Sequence, residues 1–288
     1  MAKTIKNIIK ITSPFVDEAE TLWKEKKFDE KKFPEIAEKI LKQIPSFELP
    51  SLEAITKELI NLKLPDQNFP NKDFSDLPIT LIRKEKFCLD LYWWSHTDTS
   101  IHNHHFTGAF KVIHGSSFQI IYKFNKSKKI NKDFETGELL KIKYHELKLN
   151  SVFPIELLDT FIHQVFHQST TTVTICLRSL PTTEKFLSGF LYPNFKIRLK
   201  KFEPSFIKHL IGLEILLKTN QKNIPWELDK KEMVSIHYNL INNRLPSSPN
   251  LINWLEKELK KDELGKIYLK TLNQQPHYQK KMAEFIEL

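Results

Sequence analysis

The stretch Lys86-Phe87-Cys88-Leu89-Asp90-Leu91-Tyr92-Trp93-Trp94, followed after a short turn by Thr99-Ser100-Ile101-His102-Asn103-His104, joins a strand-like apolar run to two histidines one residue apart. Side chains on a strand alternate between its faces, so His102 and His104 point the same way. A third histidine, His163, lies in the strand-like run Phe161-Ile162-His163-Gln164-Val165. Two imidazoles on one face and a third from a neighbouring strand can occupy three adjacent corners of a metal's coordination shell. Neutral imidazole suits Fe, Zn, Cu and Ni, and an open position beside three protein ligands marks a catalytic site rather than a structural one. Asn103 and His105 have the opposite parity. His167 shares the parity of His163 and stands in reserve as a ligand or as a hydrogen-bond partner behind one. Thr107, Gly108 and Ala109 occupy the positions where a carboxylate ligand would follow His104, so the ligand set reads as three histidines. Asp98 has a weaker claim, from a turn, and isolated histidines such as His114, His145 and His237 read as structural.

Outward from this stretch, period-two segments rich in Ile, Val, Phe, Tyr and Thr follow one another from Ile79 to about Phe202. They are Ile79–Ile82, Phe87–Trp94, Ala109–Ile113, Phe118–Phe124, Leu140–Leu147, Thr170–Arg178 and Phe195–Leu199. Short strands broken by turns predict an antiparallel barrel or sandwich. Lys126 to Gly137 reads as a polar, lysine-rich connection. Before the strands, the spacing predicts helices opening after Pro14 with Ser13 as cap, over Phe33–Ile44, and over Ser51–Leu62 with Leu52, Ile55, Leu59 and Ile60 inward. Pro65, Pro70 and Pro78 mark a linker. After Pro204 helical spacing returns in Phe206–Lys218, Lys230–Leu240, Leu251–Leu259 and Met282–Leu288. The chain divides on this reading into a helical segment 1–78, a barrel 79–203 and a second helical segment 204–288.

With 288 residues, 40% hydrophobic and 27% charged, the composition is that of an ordinary globular protein. The net charge of +9 comes from lysines scattered beside glutamates, as in Lys24-Glu25-Lys26-Lys27, which speaks for solvated faces and against a nucleic-acid surface. The two cysteines, Cys88 and Cys176, sit in apolar strand-like runs and read as buried thiols of a reducing compartment. Met1 to Lys10 carries too short an apolar run for a signal peptide, and no stretch is long enough to span a membrane. A cytoplasmic location is expected.

The stretch from Lys86 to His104 resembles the core of the cysteine dioxygenase family of cupins, with its strand ending in Trp, a turn, and a Ser-Ile-His-x-His ligand pair. Gly115, closing Phe110-Lys111-Val112-Ile113-His114-Gly115, and His163 with Val165 match the family's next glycine and third ligand. The resemblance covers about residues 79 to 182 and neither helical flank. It implies a double-stranded β-helix (cupin) barrel with His102, His104 and His163 as ligands of Fe(II). It also implies a substrate-anchoring arginine at Arg83, suited to a bidentate grip on a carboxylate. Tyr92 and Trp94 would line the cavity, while Leu89, Leu91 and Trp93 pack outward under helices. Asp90, on the cavity side, needs a partner. The chain departs from the family where Cys176 and Arg178 replace its catalytic His and Tyr, and where Gly108 or Ala109 replaces its cross-linking Cys. Cysteine is therefore not the expected substrate.

The expected protein is a mainly β cupin barrel with helical additions at both ends, acting as a non-haem Fe(II) dioxygenase on a small acidic or thiol substrate and O2. Arg83, Arg178 and Tyr92 are its catalytic candidates, and Arg83, Trp94 and Arg178 its substrate-binding ones. Zn, Ni or Mn are alternative metals. A Zn or Ni cupin isomerase or lyase, and a binding protein whose helical flanks dock a partner, are the alternative functions.

Overall fold

The computed structural model describes residues 4–67, 75–95, 99–130, 134–180, 188–192, 194–198, 210, 213, 215–217, 230–241 and 249–275. The chain forms two compact units, Met1–Lys123 with Lys141–Lys185, and Phe124–Leu140 with Phe186–Leu288.

The first unit opens with helices α1 (Ile5–Glu25), α2 (Phe33–Gln43) and α3 (Leu52–Asn61). Helix α1 does not begin after Pro14, as the sequence led us to expect; it begins at Ile5 and runs through the proline. Thr4 caps it by accepting from the Asn7 N–H, and the Ile5 and Lys6 N–H groups donate to the two Glu58 carboxylate oxygens at 2.7 and 3.1 Å. The buried stripe Ile5, Ile8, Thr12, Val16, Ala19, Trp23 continues across Pro14. Proline removes the bond to the carbonyl four residues back, at Lys10, and Lys10 is an exposed residue, so the break is tolerated. Glu58 supplies both hydrogen bonds and a negative charge to the N-terminus of α1. Replacing Glu58 with Ala is expected to cost about 1 kcal/mol in urea-induced unfolding. In α3, Ser51 caps as expected and Ile55 is buried, but Leu52 is 44% exposed, and the side chain of Ile60 lies outside those described.

The strands of this unit form an antiparallel five-stranded sheet in the order β1 (Leu77–Arg83), β2 (Phe87–Trp94), β9 (Thr172–Ser179), β4 (Gly108–His114) and β7 (Val152–Ile155). Every residue of β2 and β9 is buried, because both faces of the sheet are covered. Leu89, Leu91 and Trp93 share one core with Val173, Ile175 and Leu177 and with Trp23 and Phe33 of the helices. The Trp23 and Phe33 rings lie 4.0 Å apart, and Phe33 lies 5.5 Å from Phe87. The buried Lys111 donates from Nζ to the carbonyl of Ile44, the C-cap of α2, at 2.6 Å. A cation there satisfies a carbonyl that the helix leaves without a partner. On the opposite face, Tyr92, Trp94, Phe110, Val112 and Cys176 belong to a separate core that encloses the site.

The remaining strands, β3 (Ile101–His104), β5 (Ser117–Lys129), β6 (Phe134–Leu147), β8 (Leu158–His167), β10 (Ser188–Leu191) and β11 (Phe195–Arg198), close as a barrel in the order β10-β11-β6-β5-β8-β3. The architecture is thus a mainly β, double-stranded β-helix barrel of the cupin kind with helices at both ends of the chain. Lys126 to Gly137 is not the polar connection expected, since β5 extends to Lys129 and β6 begins at Phe134. Lysines disguise strand alternation there. Lys126 pairs with Glu135 at 3.0 Å, while Phe134 is fully buried in the core of the second unit.

The second unit holds the outer parts of β5 and β6, strands β10 and β11, and helices α4 (Lys230–Ile241), α5 (Pro249–Leu259) and α6 (Glu263–Leu272). Asp262 caps α6 by accepting from the Gly265 N–H. His237 is buried here, with Nδ1 2.9 Å from the Tyr268 hydroxyl and Nε2 3.4 Å from Glu256, a structural histidine as expected. Of the expected helix Phe206–Lys218 only residues 210, 213 and 215–217 are described, and Met282–Leu288 lies outside the described residues. No described helix is long and apolar enough to cross a membrane.

Candidate metal centre

All of the candidate centre lies within the first unit. Strands β3 and β8 pair antiparallel, with His102 directly opposite His163. From that pair to the next, His104 opposite Leu158, β3 advances two residues and β8 five, so β8 bulges. Leu158 takes the left-handed conformation (φ 54°) where the bulge begins. This leaves His102 and His104 adjacent on one face with His163 beside both. Ring centroids are 4.8 Å apart for His102 and His104, 4.7 Å for His102 and His163, and 4.9 Å for His104 and His163. One nitrogen from each lies within 4.8 Å of the others. Asn103, of opposite parity, donates instead to Asp159 at 2.7 Å.

Two hydrogen bonds prepare the imidazoles. The Ser100 carbonyl lies 2.7 Å from His102 Nδ1 and can only accept, so Nδ1 carries a proton and the neutral ring has its lone pair on Nε2. His163 Nδ1 donates in the same way to Gln119 Oε1 at 3.1 Å. Gln119 is fully buried, and its Nε2 has no hydrogen-bond partner among the described residues. Partners of this kind fix ring orientation and raise ligand basicity, and their loss lowers metal affinity about 10- to 100-fold. We expect Gln119→Leu to show a drop of that size when the protein competes with a chelator for metal.

His102, His104 and His163 are 4%, 1% and 5% exposed. Burial, followed by the neighbouring imidazoles, holds His104 and His163 well below the usual histidine range. His104 and His163 are therefore ready as neutral nitrogen donors at neutral pH. Tetrahedral coordination at bonds of about 2.1 Å places ligand nitrogens about 3.4 Å apart, inside the observed bound. The residues therefore fit a divalent metal of the imidazole-binding kind. A folded-state pKa below the unfolded one means that, under acid, the unfolded chain takes up protons that the native imidazoles refuse. The metal-free protein should consequently lose stability as pH falls below the unfolded value of 6.5, read as a falling melting temperature.

The histidines open on a cavity of about 50 Å3 walled mainly by Tyr92 and Trp94 of β2, Phe110 and Val112 of β4, and Leu147, Ile155 and Val165. Thr174 and Cys176 of β9 complete it, with Thr99, Ser117 and His167 at its polar positions. His167 is not in the histidine triangle. It stacks on Trp94 at 4.8 Å, and its Nδ1 is 2.9 Å from the Ser117 hydroxyl. Burial pushes the Cys176 thiol well up, and that of Cys88 to about 12, so both are protonated and neither offers a ready thiolate ligand. Asp98 lies outside the described residues.

The arginines are placed differently from the expectation. Arg83 ends β1 exposed, opposite Cys88, and is not a wall of the cavity. Arg178 is 5% exposed, and its Nε donates to Asp90 Oδ2 at 2.6 Å and to the Tyr92 hydroxyl at 3.1 Å. Tyr92 in turn donates to the same Asp90 oxygen at 2.8 Å. Burial opposes the charge on Arg178, but Tyr92 and Asp90 outweigh it and keep the guanidinium cationic. Burial, against the pull of Arg178, holds the Tyr92 hydroxyl protonated. The sequence showed no acid near Arg178 because Asp90 reaches it across the β2–β9 pairing, from 88 positions away. Sequence reasoning also missed Gln119 and Ser117. Their signal was a pair of polar residues of one parity in a strand otherwise rich in Ile, Phe and Tyr. An open groove of about 400 Å3, lined by Phe47, Leu49, Trp93 and Ile113 among others, is larger but contains none of the clustered histidines.

No family model and no curated protein matches the chain. Among solved structures it is similar to a DMSP lyase of Ruegeria pomeroyi DSS-3, with 9% identity, TM-score 0.30, and coverage of 62% of this chain and 95% of that one. It is similar also to hydroquinone 1,2-dioxygenase of Sphingomonas sp. TTNP3, with 6% identity, TM-score 0.28, and coverage of 42% and 82%. A third is a double-stranded β-helix protein of Klebsiella pneumoniae, with 12% identity, TM-score 0.25, and coverage of 47% and 100%. At these scores the likenesses carry no weight of their own; the cupin architecture rests on the strand order.

Proposed function

We propose that this protein is a metal-dependent enzyme, a non-haem Fe(II) dioxygenase whose site resembles that of the cysteine dioxygenase-like cupins. The observation that carries the reading is the buried triangle of three imidazoles, two of them hydrogen-bonded through Nδ1, opening on a small apolar cavity. When bound, a divalent metal with three imidazole ligands would supply a Lewis-acid centre with positions left for substrate and O2. The chain's own contribution is to hold those ligands and to exclude water. Tyr92 and Trp94 form one wall, and His167, stacked on Trp94 and hydrogen-bonded to Ser117, gives the cavity its polar side. Tyr92 acts as a wall and not as a proton carrier, because its hydroxyl is engaged by both Asp90 and Arg178. Of the small acid or thiol expected, the thiol remains the better candidate, since Arg178 is engaged and Arg83 is exposed. The two buried thiols support a reducing compartment such as the cytoplasm.

Metal analysis of protein purified without added metal, followed by oxygen uptake of the iron-loaded form with a panel of thiols, tests the reading. Iron retained and oxygen consumed with a panel member is the expected result. Zinc or nickel retained without oxygen uptake would transfer the site to isomerase or lyase chemistry. No metal retained would make it a binding protein.

A further inference from the structure

The charges around the cavity carry the substrate assignment further. Among the described residues no Lys, Arg, Asp or Glu lines it. Arg178, two residues along β9 from the lining Cys176, is neutralised by Asp90 through one oxygen of the carboxylate. Tyr92 lies in the cavity wall with its hydroxyl bound to both members of the pair. A charged group held among the cavity walls away from the metal would therefore lose its water without gaining a counter-ion, which is unfavourable against apolar walls. The exception would be a divalent metal held by His102, His104 and His163, whose charge would suit one anionic head group. Size sets a second limit. At about 50 Å3 the cavity is far smaller than the ~300–1,000 Å3 of a typical ligand pocket.

We infer that the substrate is a compact molecule with a single head group able to bind the metal as an anion, a thiol, enol or phenol, and an uncharged, mostly apolar body. Zwitterionic amino acids and molecules with a second carboxylate are excluded by the same walls. The inference rests on the metal-site reading above and gives its substrate class. It does not depend on oxygen chemistry.

The test uses the full-length protein loaded with cobalt(II) under anaerobic conditions, with thiol binding followed by the thiolate-to-cobalt absorption band. The probes are 1-propanethiol, cysteamine, 3-mercaptopropionate and cysteine, with affinities corrected for each thiol's own ionisation. Propanethiol should bind at least about tenfold more tightly than any probe with a charged tail. Benzyl mercaptan should be excluded from the native protein and admitted by Leu147→Ala, which shortens a wall residue outside the ligand set. Charged-tail thiols that bind as tightly as propanethiol would overturn the substrate class and leave the metal site standing, and tight binding of benzyl mercaptan to the native protein would overturn its size limit. Failure of cobalt to bind would remove the metal reading and this inference with it.

Discussion

His104→Ala is expected to lose metal on dialysis while the protein remains folded. Structural zinc sites bind with about 10–16 kcal/mol over four ligands, so one imidazole is worth about 2.5–4 kcal/mol, or about a hundredfold to a thousandfold in affinity. His104 is the most buried of the three, and its ring lies 4.8 and 4.9 Å from those of His102 and His163. The substitution also removes packing against Phe106 and Phe161, whose rings lie 5.0 and 5.6 Å away. His104→Gln is the companion variant, since it preserves more volume. Elemental analysis gives the metal content, and near-ultraviolet circular dichroism reports whether the aromatic core persists. A folded variant that holds metal at full occupancy would refute the site.

The histidine triangle was legible because strand parity is a local rule: His102 and His104 need only one strand to share a face. That His163 stands directly opposite His102 was less accessible, because it depends on the register of β3 against β8 and on a bulge that gives β8 three more residues than β3. Parity also separated Leu89, Leu91 and Trp93 from Tyr92 and Trp94, and the two sets lie in different cores. What stayed hidden followed from pairings between distant strands. Asp90 meets Arg178 only because β2 lies beside β9, and Gln119 meets His163 only because β5 lies beside β8. The start of α1 was misread because proline was weighed as a stop. Capping by Thr4 and Glu58, together with a continuous buried stripe, outweighs one lost hydrogen bond. The β5–β6 extension was missed because exposed lysines replace the polar half of an alternation whose apolar half is sparse.

The Asp90–Arg178 pair should show the largest change in stability of any site outside the metal centre. Removing one partner, as in Asp90→Leu or Arg178→Met, leaves a buried charge without its counter-ion and is expected to cost about 3–5 kcal/mol in denaturant unfolding. Removing both charges, with Tyr92→Phe so that its hydroxyl is not stranded, should restore most of that loss. The geometry favours restoration. Asp90 Oδ2 takes three donors, from Arg178, Tyr92 and the Cys88 thiol, while Oδ1 is buried without a hydrogen-bond partner among the described residues. A half-satisfied ion pair recovers less of its desolvation cost than a well-packed apolar replacement would. Single variants that lose under about 1 kcal/mol would mean that water reaches the pair, and the charge-free cavity proposed for the substrate would have to be abandoned with it. A triple variant near wild-type stability would instead mean that folding does not require the pair. Its remaining effect would be on the cavity, where it engages Arg178 and holds the Tyr92 ring in the wall that faces the histidines.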